Sequence, residues 1–369
     1  MMIKHINLHV IEMPLKQPFI THLEKVSKRR GIIVEVVDET GLKGYGEAVA
    51  FTTPWYTEET VQTCFHMLKD VLVPQLLKEM ITSPRAFHKR FHPIRRNHMA
   101  KAALDMALCD LEAKKQDIPL WQWLGGVNQQ VPAGVVVAAD SAEAAIIQIH
   151  QYVDQGYERV KIKVSPERDI DLLKRIRAKF PDLDIMADAN SAYTLEDIDK
   201  LVALGQFNLL MIEQPLGVDD IVDHAELQQK VETPICLDES IVTFHDAESA
   251  IKLGACQVMN LKIGRVGGLL PAKQIHDLCL HNGIKVWCGG MIEFGISRAH
   301  NLALSTLEGF SMPGDLSSSS RFWEEDIITP AIEVVNGKVT APMKPGIGFD
   351  INEKRLEEVT VLKEKLNRI

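Results

Sequence analysis

Between residues 131 and 315, short apolar segments alternate with longer stretches that have the spacing of amphipathic helices. The apolar segments are VPAGVVVA, ERVKIKV, LDIMADA, NLLMIEQP, TPICLDE, ACQVMNLKI, GIKVWCG and GFSMPGD. Strands that alternate with helices pair in parallel, because each helix returns the chain to the same end of the sheet. Eight such units in about 190 residues predict a closed parallel barrel, with an open doubly wound sheet as the alternative.

The sequence before residue 126 has a different pattern, in which strands come first and helices follow. IKHINLHVIEMPL and GIIVEVVDETGLKGYGEA alternate apolar and polar residues, and DETG in the second has the composition of a turn. This pattern predicts an antiparallel meander. Helical spacing begins near Thr57 and returns in MAKAALDMALCDLEAKK, so we expect an α+β module here.

The sequence after Pro330 again has a strand pattern followed by a helical pattern, as in the first module. IEVVNGKVTAP contains Asn336-Gly337, a pair that favours the type I′ turn of a hairpin, and LEEVTVLKEKL has the composition of a final helix. We expect this tail to complete the first module. The predicted domains are a small α+β domain at 1–125, a barrel that carries the active site at 126–328 and a segment completing the small domain at 329–369.

Composition narrows the class of partner. The formal net charge is −9 at pH 7 and basic residues form no long run, so neither nucleic acid nor an anionic membrane is an expected partner. No apolar stretch approaches the roughly 18 residues of a membrane span, and the first residues are too polar for a secretion signal. The six cysteines form no C-x-x-C pair, which favours buried, reduced thiols. We expect a cytoplasmic protein that binds a small molecule.

Polar residues recur at the carboxyl ends of consecutive predicted strands. They are Lys163, Asp188, Glu213, Asp238 and Lys262, at intervals of 25, 25, 25 and 24 residues. Residues with the period of a βα unit are expected at one height in the barrel, at the end where barrel active sites form. Acids at strand ends can instead cap the next helix, but three in register between two lysines favour a site.

The three acids predict a metal site. Carboxylates on adjacent strands repel one another unless a cation lies between them, and an all-oxygen set suits a hard ion such as Mg²⁺. No histidine or cysteine accompanies Asp188, Glu213 and Asp238, which disfavours zinc. The set carries more negative charge than one divalent ion neutralises, so we expect the lysines to supply the remainder.

The two outer lysines predict proton transfer at carbon. Lys163 on the second strand and Lys262 on the sixth are expected to face each other across an eight-stranded barrel. A metal that neutralises a carboxylate and a lysine that removes the α-proton together suit an enediolate intermediate. Lys161, one pleat before Lys163, is expected to hold the substrate carboxylate or to lower the pKa of Lys163. A non-catalytic binding protein with the same residues is the alternative of a different class.

The K-x-K at 161–163, the three acids and Lys262 resemble the enolase superfamily, in its muconate-lactonising-enzyme subgroup, which is known for a Lys base and Mg²⁺. The resemblance covers essentially the whole chain. It implies an α/β fold: a (β/α)7β-type TIM barrel with an α+β capping domain formed by the N-terminal region and the C-terminal tail. It implies Mg²⁺, for which Mn²⁺ or another divalent ion can substitute. The implied roles are acid/base catalysis for Lys163 and Lys262, metal binding for Asp188, Glu213 and Asp238, and support of these residues by Lys161, Asn190 and Glu239.

Longer motifs resemble the o-succinylbenzoate synthase / N-succinylamino acid racemase family. They are LDES at 237–240, LKIGRVGGL at 261–269, GGMIEFGISRAHNLAL at 289–304 and MPGDLSSSSRFWEEDI at 312–327. They imply a lyase of menaquinone synthesis that dehydrates a cyclohexadiene carboxylate to o-succinylbenzoate. We also expect the chain to form a homo-oligomer. Arg265, in K-x-x-R, matches members with racemase activity and adds N-succinylamino acid racemisation. The alternatives are a dedicated N-acylamino acid racemase or another epimerase or cycloisomerase of the subgroup.

Loops over the barrel end are expected to contact the substrate, because specificity concentrates in loops. Two adjacent glycines let the backbone approach a ligand, and methionine adds an adaptable apolar wall. The predicted contacts are Phe19, Phe51, Thr52 and Tyr56 in the small domain and Gly290, Met291, Asp315 and Ser317 in the barrel loops.

Overall fold

The computed structural model describes residues 1–21, 23–137, 139 and 141–368 of the 369-residue chain. The strands are β1 (Ile3–Ile20), β2 (Lys25–Asp38), β3 (Lys43–Ala48), β4 (Gln130–Pro132), β5 (Gly134–Val137), β6 (Arg159–Lys163), β7 (Asp184–Asp188), β8 (Ile212–Glu213), β9 (Ile235–Leu237), β10 (Val258–Leu261), β11 (Lys285–Cys288), β12 (Ile328–Thr329), β13 (Lys338–Thr340), β14 (Asp350–Ile351) and β15 (Thr360–Asn367). The α-helices are α1 (Val61–His66), α2 (Val73–Lys78), α3 (Pro84–Phe91), α4 (His98–Lys115), α5 (Leu120–Trp123), α6 (Ala142–Asp154), α7 (Ile170–Lys179), α8 (Ile198–Ala203), α9 (Val222–Lys230), α10 (Phe244–Leu253), α11 (Leu269–His281), α12 (Gly295–Ser305) and α13 (Glu353–Val359). None of the helices that the structure describes is long and apolar enough to cross a membrane.

Seven parallel strands form the central sheet, in the order β5-β6-β7-β8-β9-β10-β11, with helices between consecutive strands. On β6, Val160 and Ile162 are buried in the main hydrophobic core, and Lys161 and Lys163 alternate with them. Successive side chains of a strand point to opposite faces. The two lysines therefore share the face that is turned away from the main core.

The eighth predicted strand, in GFSMPGD at 309–315, is wrong as a regular strand. Gly314 instead accepts one hydrogen bond from the Gly134 amide at 2.6 Å, and the Asp315 amide donates to the Cys288 carbonyl at 2.8 Å. Pro313 has no amide hydrogen, and glycine weakens a strand, so a regular ladder cannot continue here. The Gly314 amide also donates to the Pro132 carbonyl at 3.3 Å, and Gly314 forms an isolated parallel bridge with Ala133, so the segment contacts both edges of the sheet.

A four-stranded antiparallel sheet has the order β15-β1-β2-β3. Within it, β1, β2 and β3 form the predicted meander. The predicted final helix is correct only for α13, because β15 follows at Thr360 and pairs with β1. The β-branched pair Thr360-Val361 favours strand over helix, and β1 offers an open edge. The predicted turn is confirmed, since Asn336 and Gly337 both have positive φ and Val335 pairs with Lys338.

Helix α4 packs between the four-stranded sheet and the central sheet's helices. Gly44 and Gly46 on β3 allow this contact, because a Cβ atom on either would lie 2.2 Å or less from a carbonyl oxygen of α4. From the other side of α4, the buried Asp105 carboxylate accepts hydrogen bonds from the Leu269 and Leu270 amides, at the start of α11. Acidic groups stabilise the amino-terminal end of a helix. One helix thus joins the two parts of the molecule.

A second acid of the N-terminal part caps α12, the helix that follows the last strand of the central sheet. Glu47 on β3 accepts hydrogen bonds from the amides of Phe294 (3.1 Å) and Ser297 (3.0 Å), at the start of α12. Burial raises the pKa of Glu47 to about 8. Arg29 on β2 donates to the carbonyls of Ile292 and Ala50. These bonds fix the loop after β11 against the N-terminal part.

The structure predicts a pH dependence of stability that arises at His98, the first residue of α4. Burial, with the nearby Lys101 and Arg96 charges, lowers the pKa of His98 from 6.5 to about 4, although Glu58 and Asp246 oppose the shift. Between these pH values the unfolded chain binds the proton and the folded chain does not, so stability falls as the pH falls. We expect the His98→Gln variant to lose less unfolding free energy than wild type between pH 6.5 and pH 4.

Urea unfolding at several pH values measures this difference. His245, which is exposed, supplies the control: His245→Gln should follow the wild-type pH dependence. Parallel curves for wild type and His98→Gln would contradict the assignment.

Candidate active site

The strand register places the predicted residues at one end of the sheet. Lys163 pairs with Asp188, and Asp188 pairs with Glu213, so these three share one register. The next step differs, because Glu213 pairs with Cys236 and Asp238 lies two residues further along the chain. Asp238 is therefore offset by two residues from the register that the other three share. A stagger of this kind is expected where tilted strands curve into a barrel-like sheet.

An apolar floor lies below the acids. Met186, Met211 and Cys236 stand two residues before Asp188, Glu213 and Asp238 respectively, and thus on the same face of their strands. With Val258 and Trp287 they form a buried cluster separate from the main core. The Trp287 indole donates to Cys236 Sγ at 3.3 Å. This floor keeps water from the acids on their inner side.

Ammonium groups lie between the carboxylates. Lys163 Nζ is 2.7 Å from Asp188 Oδ2, and Lys262 Nζ is 2.7 Å from Asp238 Oδ2. Lys161 Nζ is 3.0 Å from Glu213 Oε2, 3.5 Å from Asp188 Oδ2, and 4.5 Å from the centre of the Trp287 ring. Each predicted ligand is thus in contact with a lysine of the predicted set.

The acids of the site differ in how readily they ionise, because their charged neighbours differ. Burial, with repulsion from Asp188, raises the pKa of Glu213 to about 8, and its Oε2 atom accepts no well-aligned hydrogen bond from the described residues despite the nearby Lys161. Burial opposes ionisation of Asp238 as well, but Lys262 and Arg265 outweigh it and hold its pKa below the usual value. Glu213 is therefore the acid with the least cationic compensation.

The donor set fits a divalent ion by its chemistry. In the described ranges, no three Asp, Glu, His or Cys side chains are arranged as a ready metal cluster, because the ammonium groups separate the acids. Asp188, Glu213 and Asp238 are nevertheless buried oxygen donors on adjacent strands, and Glu213 Oε2 lacks a hydrogen bond. Carboxylates of this kind suit Mg²⁺ or a similar hard ion. These three residues can hold such an ion.

The predicted supporting residues contact the acids and lysines. Asn190 accepts a hydrogen bond from Lys163 Nζ at 2.5 Å and donates to Glu239 Oε1 at 3.0 Å. Arg265 forms an ion pair with Asp238 and donates to Tyr56 Oη at 3.0 Å. The structure therefore brings Asn190, Glu239 and Arg265 to the site, together with Lys161.

A cavity lies over the strand ends, and both outer lysines line it. It is bounded by Phe19, Thr21, Phe51, Trp55, Tyr56, Val136, Lys161, Lys163, Asp188, Asn190, Lys262, Gly290, Met291, Ile292 and Asp315. Six of the eight predicted substrate contacts are in this set. Thr52 is exposed and Ser317 is buried, and neither lines this cavity, although Ser317 lines an adjoining one.

Three residues of the site were not predicted. Asn260 donates to Glu213 Oε1 at 2.7 Å, and Arg159 Nη1 lies 3.0 Å from Asp315 Oδ1. Asp315 itself was predicted as a substrate contact, but its other oxygen is 2.8 Å from Lys161 Nζ. The signal for Asn260 was available, since it lies two residues before Lys262 on the same face. Arg159 lies two residues before Lys161 and could have been predicted in the same way, because residues two apart on a strand share a face.

Gln214, the third unpredicted residue, connects three strand ends. Its side-chain oxygen accepts from the amides of Asp238 (3.0 Å) and Ser240 (3.3 Å). Its backbone carbonyl accepts from the Ser191 amide at 2.7 Å, and its own amide donates to Cys236. Gln214 is fully buried with a φ of 38°, in the left-handed region that costs energy for a residue with a side chain. No sequence pattern considered above signals this role.

Two family models match the chain. The model described as "Mandelate racemase / muconate lactonizing enzyme, N-terminal domain" matches residues 5–125. The model described as "Enolase C-terminal domain-like" matches residues 144–355. The first range contains β2, β3, α4 and most of β1, and the second contains β6 to β11, whereas β5 and β15 lie outside both ranges.

Individual relatives agree with the family models. The chain is 51% identical over 367 residues to an o-succinylbenzoate synthase from Geobacillus stearothermophilus, covering 99% of this chain and 98% of the relative. It is 43% identical over 362 residues to an N-succinylamino acid racemase from Thermus thermophilus, covering 98% of each. A crystal structure of an enolase superfamily member from Listeria innocua superposes with a TM-score of 0.97 at 42% identity, covering 100% of this chain and 99% of that one.

The bonds of Gln214 predict a specific defect in the Gln214→Met variant. Loss of its side-chain hydrogen bonds leaves buried amides unpaired and should lower the free energy of unfolding by about 2 kcal/mol or more. It should also weaken Mn²⁺ binding, because the Asp238 backbone is no longer fixed relative to Glu213. Chemical unfolding and Mn²⁺ titration followed by electron paramagnetic resonance measure the two effects.

Gln228 provides a matched control at the other end of β9, where its side-chain oxygen accepts from the Ile235 amide at 2.8 Å. Gln228→Met should lose stability without loss of Mn²⁺ affinity. Equal Mn²⁺ affinities of the two variants would refute the role of Gln214.

Proposed function

This chain belongs to the enolase superfamily, and from this premise we propose that it is an o-succinylbenzoate synthase. Such an enzyme is a lyase that removes water from a cyclohexadiene carboxylate in menaquinone synthesis. The observation that carries the proposal is the pair of ammonium groups, Lys163 and Lys262, that line one cavity beside three acids in a chain 51% identical to a relative of that name.

The proposal includes the finer architecture. We propose that residues 312–315 take the place of the eighth strand in a (β/α)7β-type barrel. The bonds of Gly314 and Asp315 to both edge strands support this closure. We also propose a barrel domain at 126–328 under a capping domain made of 1–125 and 329–369, which the pairing of β15 with β1 supports. The six cysteines, all free and buried, support a reducing cytoplasmic location, and the homo-oligomeric state stays a prediction.

The proposed metal ligands are Asp188, Glu213 and Asp238, with Asn190 and Glu239 in support and Mg²⁺ as the ion. A bound divalent ion supplies positive charge that makes a proton next to a carboxylate more acidic. The three carboxylates repel one another without such charge. In this proposal the lysines turn from the acids toward the substrate when the ion is bound.

In the dehydration, neutral Lys163 Nζ removes the proton from the carbon next to the ring carboxylate. The electrons of that C–H bond first move onto the carboxylate to give an enediolate. They then form the new C=C bond as the C–O bond breaks, and the leaving hydroxyl takes the proton that Lys163 Nζ removed and departs as water. Lys262 Nζ stays an ammonium on the opposite side and stabilises the negative charge of the carboxylate. Tyr56 accepts from Lys262 Nζ at 2.8 Å and so orients it.

Racemisation of N-succinylamino acids is the second candidate activity. The observation that favours it is the placement of two lysines on strands β6 and just after β10, both facing one cavity, in a chain 43% identical to a racemase of that class. One lysine removes the α-proton from one face, and the other adds a proton to the opposite face. The C–H bond that breaks is replaced by a C–H bond of inverted configuration, so no other group leaves.

Single lysine variants test the two-base assignment. We expect Lys163→Ala and Lys262→Ala each to abolish racemisation, with kcat/KM lowered by about 10²-fold or more, because general acid–base groups contribute about 10² to 10⁴ in rate. Lys163→Ala should also abolish dehydration. Polarimetry measures racemisation, and ultraviolet absorbance of o-succinylbenzoate measures the synthase reaction.

Deuterium exchange adds a control for these variants and separates an enzyme from a binding protein. In D₂O, wild type should exchange the α-proton of N-succinylamino acids, whereas a binding protein leaves it in place. Lys252→Ala, which removes an exposed lysine of α10, should behave as wild type. Near-native racemisation by either active-site lysine variant would refute the assignment.

Metal removal tests the acid site. Dialysis against EDTA should abolish both activities, and Mg²⁺ or Mn²⁺ should restore them. Asp188→Asn should weaken Mg²⁺ binding, since it removes one of the charges that attract the ion. The readout is the Mg²⁺-dependent rise in melting temperature, and an unchanged rise in this variant, or full activity in EDTA, would argue against the site.

A further inference from the structure

A second small cavity adjoins the catalytic one. It has a volume of about 40 Å³ and shares Phe19, Val136, Gly290, Ile292 and Asp315 with the catalytic cavity. The groups that are its own include Ser317, Arg321 and Arg298. By the same measure a cavity of about 10–15 Å³ already holds one water molecule, so the space is large enough for a group of roughly carboxylate size.

Arg298 of α12 lines this cavity and lacks the partners that a buried arginine usually has. Its side chain is buried, with the residue only 4% exposed, and its Nε and Nη2 atoms have no hydrogen-bond partner among the described residues. Buried guanidinium groups normally pair with a carboxylate or with carbonyl groups. Arg298 therefore has hydrogen-bond donors available on the cavity side of the helix.

Asp326 and Glu293, the carboxylates whose charges act most strongly on Arg298, each use one oxygen for other partners, and Asp326 Oδ2 is buried without a hydrogen-bond partner among the described residues. Asp326 Oδ1 accepts from the amides of Gly295 (3.0 Å) and Ile327 (2.7 Å), and Glu293 Oε1 accepts from Asn301 at 3.1 Å. Neither forms an ion pair with Arg298 in the part of the chain that the structure describes. The third carboxylate, Asp315, pairs with Arg159 and Lys161.

A second cation and a hydroxyl group face the same space. Arg321 donates to the Val136 carbonyl at 2.6 Å and to Ser317 Oγ at 3.4 Å. Its guanidinium carbon and that of Arg298 lie 5.2 and 5.6 Å from the centre of the Phe322 ring. The two cations thus share one aromatic contact, while Asp326 and Glu293 attract the Arg298 guanidinium without forming an ion pair with it among the described residues.

We propose that Arg298, with Arg321 and Ser317, binds the distal carboxylate of a succinyl chain whose other end reacts in the catalytic cavity. The inference rests on the proposed function, because o-succinylbenzoate, its precursor and N-succinylamino acids all carry this chain. A guanidinium group with free donors matches a carboxylate in charge and geometry. One distal subsite therefore serves both candidate reactions.

Binding of the product and of an analogue that lacks only the distal carboxylate tests the subsite. The probes are o-succinylbenzoate and 2-butyrylbenzoate, which has a methyl group in its place, bound to the Mg²⁺-loaded enzyme and measured by calorimetry. Wild type should bind o-succinylbenzoate about tenfold or more tightly than 2-butyrylbenzoate, as expected for hydrogen bonds to a charged group. Arg298→Met should lose that preference, with the Kd of 2-butyrylbenzoate changed less than about threefold.

Two more variants keep the test decisive if Arg298→Met is unstable. Ser317→Ala should weaken o-succinylbenzoate binding alone, and Arg175→Met, on the exposed face of α7, should change neither Kd. Equal weakening of both probes in Arg298→Met and Ser317→Ala, or no preference in wild type, would overturn the subsite. Failure of wild type to turn over any substrate would instead overturn the proposed function, so the two failures are distinguishable.

Discussion

The burial of several acids at one end of a parallel sheet is the constraint on which the rest of the site depends. Asp188, Glu213 and Asp238 lie above an apolar floor, where charges cost far more than in water. Their neighbours are arranged to offset this cost: Lys161, Lys163 and Lys262 contact them, and Asn260 and Gln214 fix their side chains or backbone. In the proposed function, a divalent ion takes the place of these ammonium groups between the acids.

Buried acids with hydrogen-bond partners also join the N-terminal part of the molecule to the helices around the central sheet. Glu47 and Asp105, both buried, belong to the N-terminal part and accept hydrogen bonds from the first amides of α12 and α11. Both helices follow loops at the strand ends where the acids and lysines lie. The loops that cover the cavity are therefore positioned by hydrogen bonds across the interface and not by their own sequence alone.

Much of the candidate site was predictable because its residues recur with the period of the βα unit. The approach of Lys163, Asp188, Glu213, Asp238 and Lys262 follows from spacing alone. The stagger after Glu213 did not follow, because spacing carries no information about strand tilt. Gln214 and the pairing of Asp315 with Lys161 depend on tertiary contacts between distant residues, for which a single sequence has no local signal. Their chemical roles remain predictions.

The alternation of apolar segments and helical stretches predicted most strands and helices correctly. The two exceptions arise where individual residues disfavour the predicted element. Pro313 and Gly314 interrupt the eighth predicted strand, and Thr360 ends the predicted last helix. The second of these differences has a consequence for how the protein is made. Because β15 pairs with β1, the sheet that begins the chain is completed only after residue 367 leaves the ribosome. One edge of β1 therefore stays unpaired throughout synthesis of the central sheet, which must form beside an open strand edge.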